Sequence, residues 1–270
     1  MTAVEIIRPG ETASLDPAGA AFAHGYGLFE TIRVEALKLY FWEAHWHRLS
    51  ASSEALGIPL EVDPDAVLSA VRSLVAEEDP TGCLTLKLSV LKEGASARLF
   101  VYLRPAMVRP EEVVLLLDEV SPVNERALLA GHKTHNYMEN RLLMDQAKAA
   151  GCYDVLRLNT SGYVAEGAIS NLFWESGGVL YTPAQRAGLL PGVIRSVLLE
   201  ALYVREGLFT RSDLLRADAI YLTNSSIGVK QVESVGKKGE KIPFCSKYAT
   251  LSGRLASAFE QASQSASLTL

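Results

Sequence analysis

Cysteine is scarce in this 270-residue chain: Cys83, Cys152 and Cys245 are three, an odd number, far apart and without CxxC spacing. That excludes a disulfide framework and a sulfur-rich zinc site, and it fits a reducing cytoplasm. Blocks of one charge are missing too. The 26 basic and 31 acidic residues leave a net charge of −5, and no basic run offers a surface to nucleic acid, membrane or polyphosphate. No segment approaches the roughly 20 apolar residues of a membrane span. The opening Met1-Thr2-Ala3-Val4-Glu5-Ile6-Ile7-Arg8 lacks the charged and apolar regions of a secretory leader.

What is present is enough apolar material for a sizeable core: 49% of residues are hydrophobic and 21% charged, an ordinary globular balance. At about 100–200 residues per domain, the length suits one large domain or two small ones. Leu28–Val34 and Lys38–Phe41 read as strands around a turn, and a helix runs from Glu43 to Gly57-Ile58-Pro59. Ala66–Val75 is a second helix. Cys83–Val90, Arg98–Leu103 and Val113–Leu117 read as strands of an antiparallel sheet. Asp118–Arg126, with Pro122, is the linker candidate. Beyond it, Tyr137–Ala150, Val193–Val204 and Tyr248–Ala262 read as helices. Tyr153–Leu158, Leu172–Glu175, Val179–Tyr181 and Ala219–Thr223 read as strands, and the Ser/Ala-rich tail after Ala262 reads as poorly ordered. The expected fold is α+β in two domains, a smaller one over 1–118 and a larger one over 119–270.

Several tempting patterns carry no site. His45 and His47 stand two apart on a predicted helix and share no face, so no metal centre is expected there. Gly25-x-Gly27 lacks the strand–loop–helix context of a dinucleotide fingerprint.

A set of motifs in fixed order is more informative: Lys133-Thr134-His135-Asn136-Tyr137, Tyr163-Val164-Ala165-Glu166-Gly167, Ser170-Asn171-Leu172-Phe173, Leu190-Pro191-Gly192-Val193-Ile194-Arg195 and Thr223-Asn224-Ser225-Ser226. Pro191-Gly192 ahead of a helix leaves the backbone N–H groups of Val193 and Ile194 available to an anion. The helix dipole contributes only about 0.3–1 kcal/mol to such binding, up to ~2 when partly buried, so a cationic partner is also needed.

In order and spacing these motifs resemble the fold-type IV pyridoxal phosphate (PLP) enzymes, the class IV aminotransferase family. Its members include branched-chain and D-amino acid aminotransferases and aminodeoxychorismate lyase. The resemblance extends from about Phe22 to Val235 and is strongest over 133–195. It implies a fold-type IV architecture whose larger domain binds pyridoxal 5'-phosphate, with Lys133 holding the cofactor as a Schiff base. A free lysine is neutral in roughly one molecule in 2,500 at pH 7, so Lys133 needs desolvation or cationic neighbours.

By the same resemblance Glu166 meets the pyridine nitrogen. Raising that nitrogen's pKa by about two units takes roughly 2.7 kcal/mol, which a partly buried carboxylate supplies. Arg48, Ser225 and the amides of Val193 and Ile194 correspond to the phosphate site. Tyr137 corresponds to a tyrosine beside the cofactor's phenolic oxygen, and Phe29 and Ser226 line the substrate pocket. His132 and His135 flank Lys133 and are placed to tune it.

The Thr223-Asn224-Ser225 form resembles the one frequent in the lyases of this family, and the short Lys-to-Asn-Tyr spacing fits them. The resemblance implies a lyase reading: 4-amino-4-deoxychorismate cleaved to 4-aminobenzoate and pyruvate for folate synthesis. The alternative is transamination of branched-chain or D-amino acids. Residues 92–98 lack the Arg-x-His trap frequent in the D-amino acid enzymes. A cytoplasmic homodimer acting on a small molecule is the expected form. Arg98, Arg104 and Lys87 remain unranked as partners for a substrate carboxylate.

Overall fold

Strict alternation organises the N-terminal sheet. In the computed structural model, which describes residues 2–77, 82–118, 120–237, 240–243 and 251–270, the first elements are β1 (Thr2–Ile7), α1 (Ala20–His24), β2 (Gly27–Glu35), β3 (Lys38–Tyr40), α2 (Trp42–Ala55), α3 (Pro64–Ala76), β4 (Cys83–Glu93) and β5 (Ser96–Pro105). The strands lie in the order β1-β5-β4-β2-β3. β1 is parallel to β5 and the other pairings are antiparallel. One face carries Leu28, Ile32, Val34, Leu86, Leu88, Val90, Leu99 and Val101, which form a core with Trp42 and Leu49 of α2 and with Val67, Val71 and Leu74 of α3. Each such side chain contributes about 1.5–3 kcal/mol by leaving water. Helix α3 begins where Asp63 caps the Asp65 N–H and Pro64 occupies the first turn, a proline position that sacrifices no helical hydrogen bond. The register places Phe29, Thr31, Lys87, Ser89 and Tyr102 on the opposite face.

The remaining elements are β6 (Val114–Leu117), α4 (Met138–Ala149), β7 (Asp154–Leu156), β8 (Asn171–Ser176), β9 (Val179–Pro183), α5 (Val193–Ala201), β10 (Val204–Gly207), α6 (Arg211–Leu215), β11 (Ala219–Asn224), β12 (Gly228–Gln231), β13 (Ser234–Lys237), β14 (Glu240–Pro243), α7 (Ser252–Ser265) and β15 (Ser267–Thr269). They build two further sheets, β10-β9-β8-β11-β12 and β14-β13-β6-β7. Leu115, Leu156, Leu172, Trp174, Ile220 and Leu222 are central to their shared core.

Contacts divide the chain into one unit of Met1–Val108, His132–Tyr137 and Ser263–Leu270, and another of Arg109–Gly131 and Met138–Ala262. This differs from a single cut near 118–126. The Asp118–Arg126 segment is no linker: Asp118 N–H donates to Leu156 O and Val123 N–H to Leu158 O. The Lys133 segment joins the first unit because it pairs with β2. Phe29 N–H donates to Lys133 O at 3.0 Å, His135 N–H to Gly27 O at 2.9 Å, and Leu28 bridges Thr134.

Two local expectations are corrected. The helix from Val193 ends at Ala201, because Leu202 turns extended and Val204–Gly207 pairs in parallel with β9; ladder formation there overrides helical periodicity. The tail after Ala262 is ordered. Helix α7 continues to Ser265, and Ser267, Leu268 and Thr269 pair with Tyr40, Leu39 and Lys38 while Leu268 and Leu270 pack on the core. Cys83 and Cys152 form no disulfide among the described residues; Cys245 and residues 248–250 of the expected last helix lie outside the described residues. Among the described residues no helix is long and apolar enough to cross a membrane.

Candidate active site

Lys133 shares the Phe29 face of the first sheet. With Leu28 opposite Thr134, Lys133 stands beside Phe29 and His135 beside Gly27. The Lys133 Nζ lies 4.4 Å from the Phe29 ring centre and 5.4 Å from that of Tyr137, and the two rings meet edge-on at 5.1 Å. Gly27 is required here: a Cβ would sit 2.5 Å from Val90 O and 3.0 Å from the His135 ring. Thus Lys133, Phe29 and Tyr137, each singled out from sequence, are brought together. His135 adjoins them, its ring 5.2 Å from Phe29. His132 points elsewhere, its Nδ1 3.0 Å from Ser52 Oγ.

A second lysine occupies the same face. Lys87 Nζ lies 4.2 Å from the Phe29 ring centre and donates to Thr31 Oγ1 at 2.6 Å. Among the described residues it makes no ion pair with an acid. Burial, followed by the charges of Lys133 and Arg104, pulls its pKa down to about 7. His135 is likewise lowered to about 4, by burial and then by Lys87. The face therefore gathers basic groups around one aromatic ring, where burial and mutual repulsion disfavour their protons. Arg98, by contrast, is committed to Glu5 and Glu93, and Arg104 is exposed, its guanidinium 5.3 Å from the Tyr102 ring. Sequence proximity could not rank these cations; the sheet register does.

Arg48 belongs to a buried cluster on the core side of the same sheet. Alternation turns Glu30 toward α2, where His45 and Arg48, three apart, share a helix face. Arg48 donates from Nε to Glu30 Oε1 at 2.8 Å and from Nη2 to Oε2 at 2.7 Å. His45 Nδ1 is 2.7 Å from Glu30 Oε2. Burial pushes the Glu30 carboxyl up, yet the Arg48 and His45 charges and hydrogen bonds outweigh it and hold it well below the carboxylate range. Burial, with Arg48 and Lys133, lowers His45 against the pull of Glu30. The neutral ring then donates its Nδ1–H to the carboxylate. Sequence reasoning missed Glu30 and His45 as partners of Arg48. The signal was available: a glutamate between Leu28 and Ile32 on an inward-facing strand position needs a cation.

In the other unit, Glu166 is half-buried and accepts from Leu190 N–H at 2.9 Å and from Asn171 Nδ2 at 3.4 Å. Asn171 also donates to Leu190 O at 2.9 Å, so the carboxylate and the loop leading to α5 are tied together. Gly192 caps α5, and a Cβ there would collide with Asn171 Oδ1. The side chains of Val193 and Ile194 are buried. Their N–H groups precede the first helical hydrogen bond, from Ser196 N–H to Gly192 O. Ser225 and Ser226 stand in the turn after β11, shaped by Asn224 Oδ1, which accepts from Ser226 N–H at 2.9 Å and Ile227 N–H at 3.0 Å.

These groups fit pyridoxal 5'-phosphate on observations of the chain itself. Amines crowded by like charge suit an aldehyde, helix-terminal amides and a hydroxyl turn suit a phosphate, and an anchored carboxylate suits a ring nitrogen. Moreover, Thr223 Oγ1, beside the Ser225 turn, and His135 Nε2, beside Lys133, are buried without a hydrogen-bond partner among the described residues. Buried polar atoms of this kind call for an absent partner.

With its mixture of helices and sheets, the chain has the α+β fold of the type IV PLP enzymes. The chain belongs to the amino-transferase class IV family, whose model matches residues 27–235, and its cofactor is pyridoxal 5'-phosphate. It is 29% identical over 243 residues to an aminodeoxychorismate lyase of Vibrio harveyi, covering 83% of this chain and 88% of that one. It is 24% identical over 250 residues to the branched-chain-amino-acid aminotransferase of Escherichia coli strain K12, covering 83% and 81%. The crystal structure of 4-amino-4-deoxychorismate lyase from Pseudomonas aeruginosa superposes with a TM-score of 0.77 at 28% identity, covering 92% of this chain and 96% of that one.

Proposed function

We propose that the protein is a 4-amino-4-deoxychorismate lyase that releases pyruvate and leaves 4-aminobenzoate. The observation that carries this reading is the lysine-bearing face around Phe29, where Lys87 has a hydroxyl partner but, among the described residues, no acid. The substrate has two carboxylates, one on the ring and one on the enol ether side chain. A branched aliphatic amino acid would instead need an apolar pocket where Lys87, Ser89 and Tyr102 stand. Similarity to the Vibrio harveyi lyase along most of both chains supports the same choice.

In this reading Lys133 would hold the cofactor aldehyde and, once displaced by the substrate amine, its freed amine would take the proton from the substrate carbon that bears the amine and deliver a proton to the departing enolpyruvate. When bound, pyridoxal phosphate supplies an electron sink for the charge left behind. Glu166 holds the proton on the pyridine nitrogen. Arg48, Ser225 and the amides of Val193 and Ile194 hold the phosphate, and Tyr137 donates to the phenolic oxygen. Lys87 pairs with a substrate carboxylate, while Phe29 and Ser226 bound the substrate. The enzyme works as a homodimer in the cytoplasm and supplies folate synthesis.

The test supplies aminodeoxychorismate and, in parallel, a branched-chain amino acid with a keto acid. Pyruvate and 4-aminobenzoate appearing without any keto acid are the expected products. Keto-acid-dependent amino transfer without pyruvate release would make the chain an aminotransferase instead. Borohydride treatment should leave the cofactor on the peptide that contains Lys133.

A further inference from the structure

Asp154, at the start of β7, is a fully buried acid that the reaction does not use, and among the described residues it has no ion-pair partner. Backbone donors surround it instead. Its Oδ1 accepts from Val155 N–H and Ala168 N–H, both at 2.8 Å, and its Oδ2 accepts from Ile169 N–H at 3.4 Å. Ser170 adds a side-chain hydrogen bond. Gly167 completes the fit, since a Cβ there would stand 2.5 Å from Asp154 Oδ2. The carboxylate thereby holds the four residues that directly follow Glu166.

The same hydroxyl continues outward. Ser170 Oγ accepts from Asn224 Nδ2 at 3.0 Å, and Asn224 Oδ1 holds the turn through Ser226 N–H and Ile227 N–H. An ionised carboxylate only accepts hydrogen bonds. Ser170 must therefore donate to Asp154 and present its lone pairs to Asn224, which fixes the Asn224 amide with its oxygen toward the turn. A neutral group at 154 would impose no such direction.

We infer that Asp154 is a positioning residue that, through Ser170 and Asn224, sets the Glu166 loop and the Ser225 turn in one geometry for the cofactor. The inference rests on the reading of Glu166 and Ser225 as cofactor groups, and its test separates the two. Apo-protein is titrated with PLP and with pyridoxal, which lacks the phosphate, in wild type, Ser170→Ala and Asp154→Asn. Ser170→Ala cuts only the branch to the turn, so PLP affinity should fall about tenfold, the scale typical of lost supporting contacts, while pyridoxal affinity stays within about twofold. Asp154→Asn disturbs both branches, and both affinities should fall together. Should Asp154→Asn fail to fold, Ser170→Ala alone decides, because it removes one hydroxyl and leaves the backbone contacts intact. Equal losses for PLP and pyridoxal in Ser170→Ala, or no loss of either, would overturn the inference while leaving the cofactor site in place. A wild-type protein that binds neither compound would overturn both.

Discussion

Two amines sharing one aromatic ring create a conflict that each residue alone would not have. Lys87 and Lys133 both lie within 4.4 Å of the Phe29 ring centre, so each disfavours the other's proton, and burial has already drawn Lys87 to about 7. The sign of the stability effect follows. Below pH 7 the folded and unfolded chains both carry the Lys87 proton, and the full cost of the crowded charge is felt. Between pH 7 and 10.5 the folded chain sheds it and the cost fades. Lys87→Met should therefore stabilise the apo-protein by about 2 kcal/mol at pH 6, allowing for solvent screening, and by nothing near pH 11. Urea titrations at both values check this, and the same variant should raise KM for the lyase substrate at least about tenfold. Glu30 has the opposite sense. Its depressed pKa contributes stability above its unfolded value of 4.5 and loses it as pH falls further. Glu30→Gln should cost about 3–5 kcal/mol at pH 7, because Arg48 is left buried without its carboxylate, and should flatten the acid side of the stability profile. Denaturant midpoints at pH 7 and pH 4 measure both effects.

Elements whose side chains alternate or repeat every three to four residues are legible in the sequence alone. Strands β2, β4 and β5 and helices α2 and α3 all fall where periodicity puts them, because each buries one face against the other. Elements made by pairing alone are not. The short terminal strand β15 has no pattern of its own and exists because β3 offers an open edge. Deleting residues 267–270 removes that ladder and the packing of Leu268 and Leu270, and should lower stability by about 2 kcal/mol, seen as a lower Tm with the fold retained. The β2–β3 turn holds a further expectation. Ala36 and Leu37 adopt φ values of 48° and 59°, which cost a residue with a Cβ roughly 1 kcal/mol. The exposed Ala36 is the one to change, since Leu37 packs on the core. Ala36→Gly should raise stability by about 0.5–1 kcal/mol, measured by thermal denaturation.

Across the whole molecule, membership of the class IV family and the PLP cofactor were readable from ordered motifs, because cofactor chemistry restricts the residue types available at each contact. Choosing a reaction needed more. Light scattering on the holoenzyme should give twice the chain mass if the proposed homodimer forms, and substrate competition then assigns the activity. By itself the sequence determined the family and its cofactor, through the order of its motifs, and which faces of the main strands and helices are apolar, through local composition and spacing. Only the tertiary structure decided which charges are already satisfied. Glu5 finds Arg98 across 93 residues of chain, Glu30 turns inward to Arg48, and Asp154 gathers the amides beyond Glu166. Lys87 is left on its sheet face without an acid among the described residues. The physical reason is that a charge takes its partner from neighbours in space, and strand register sets those neighbours.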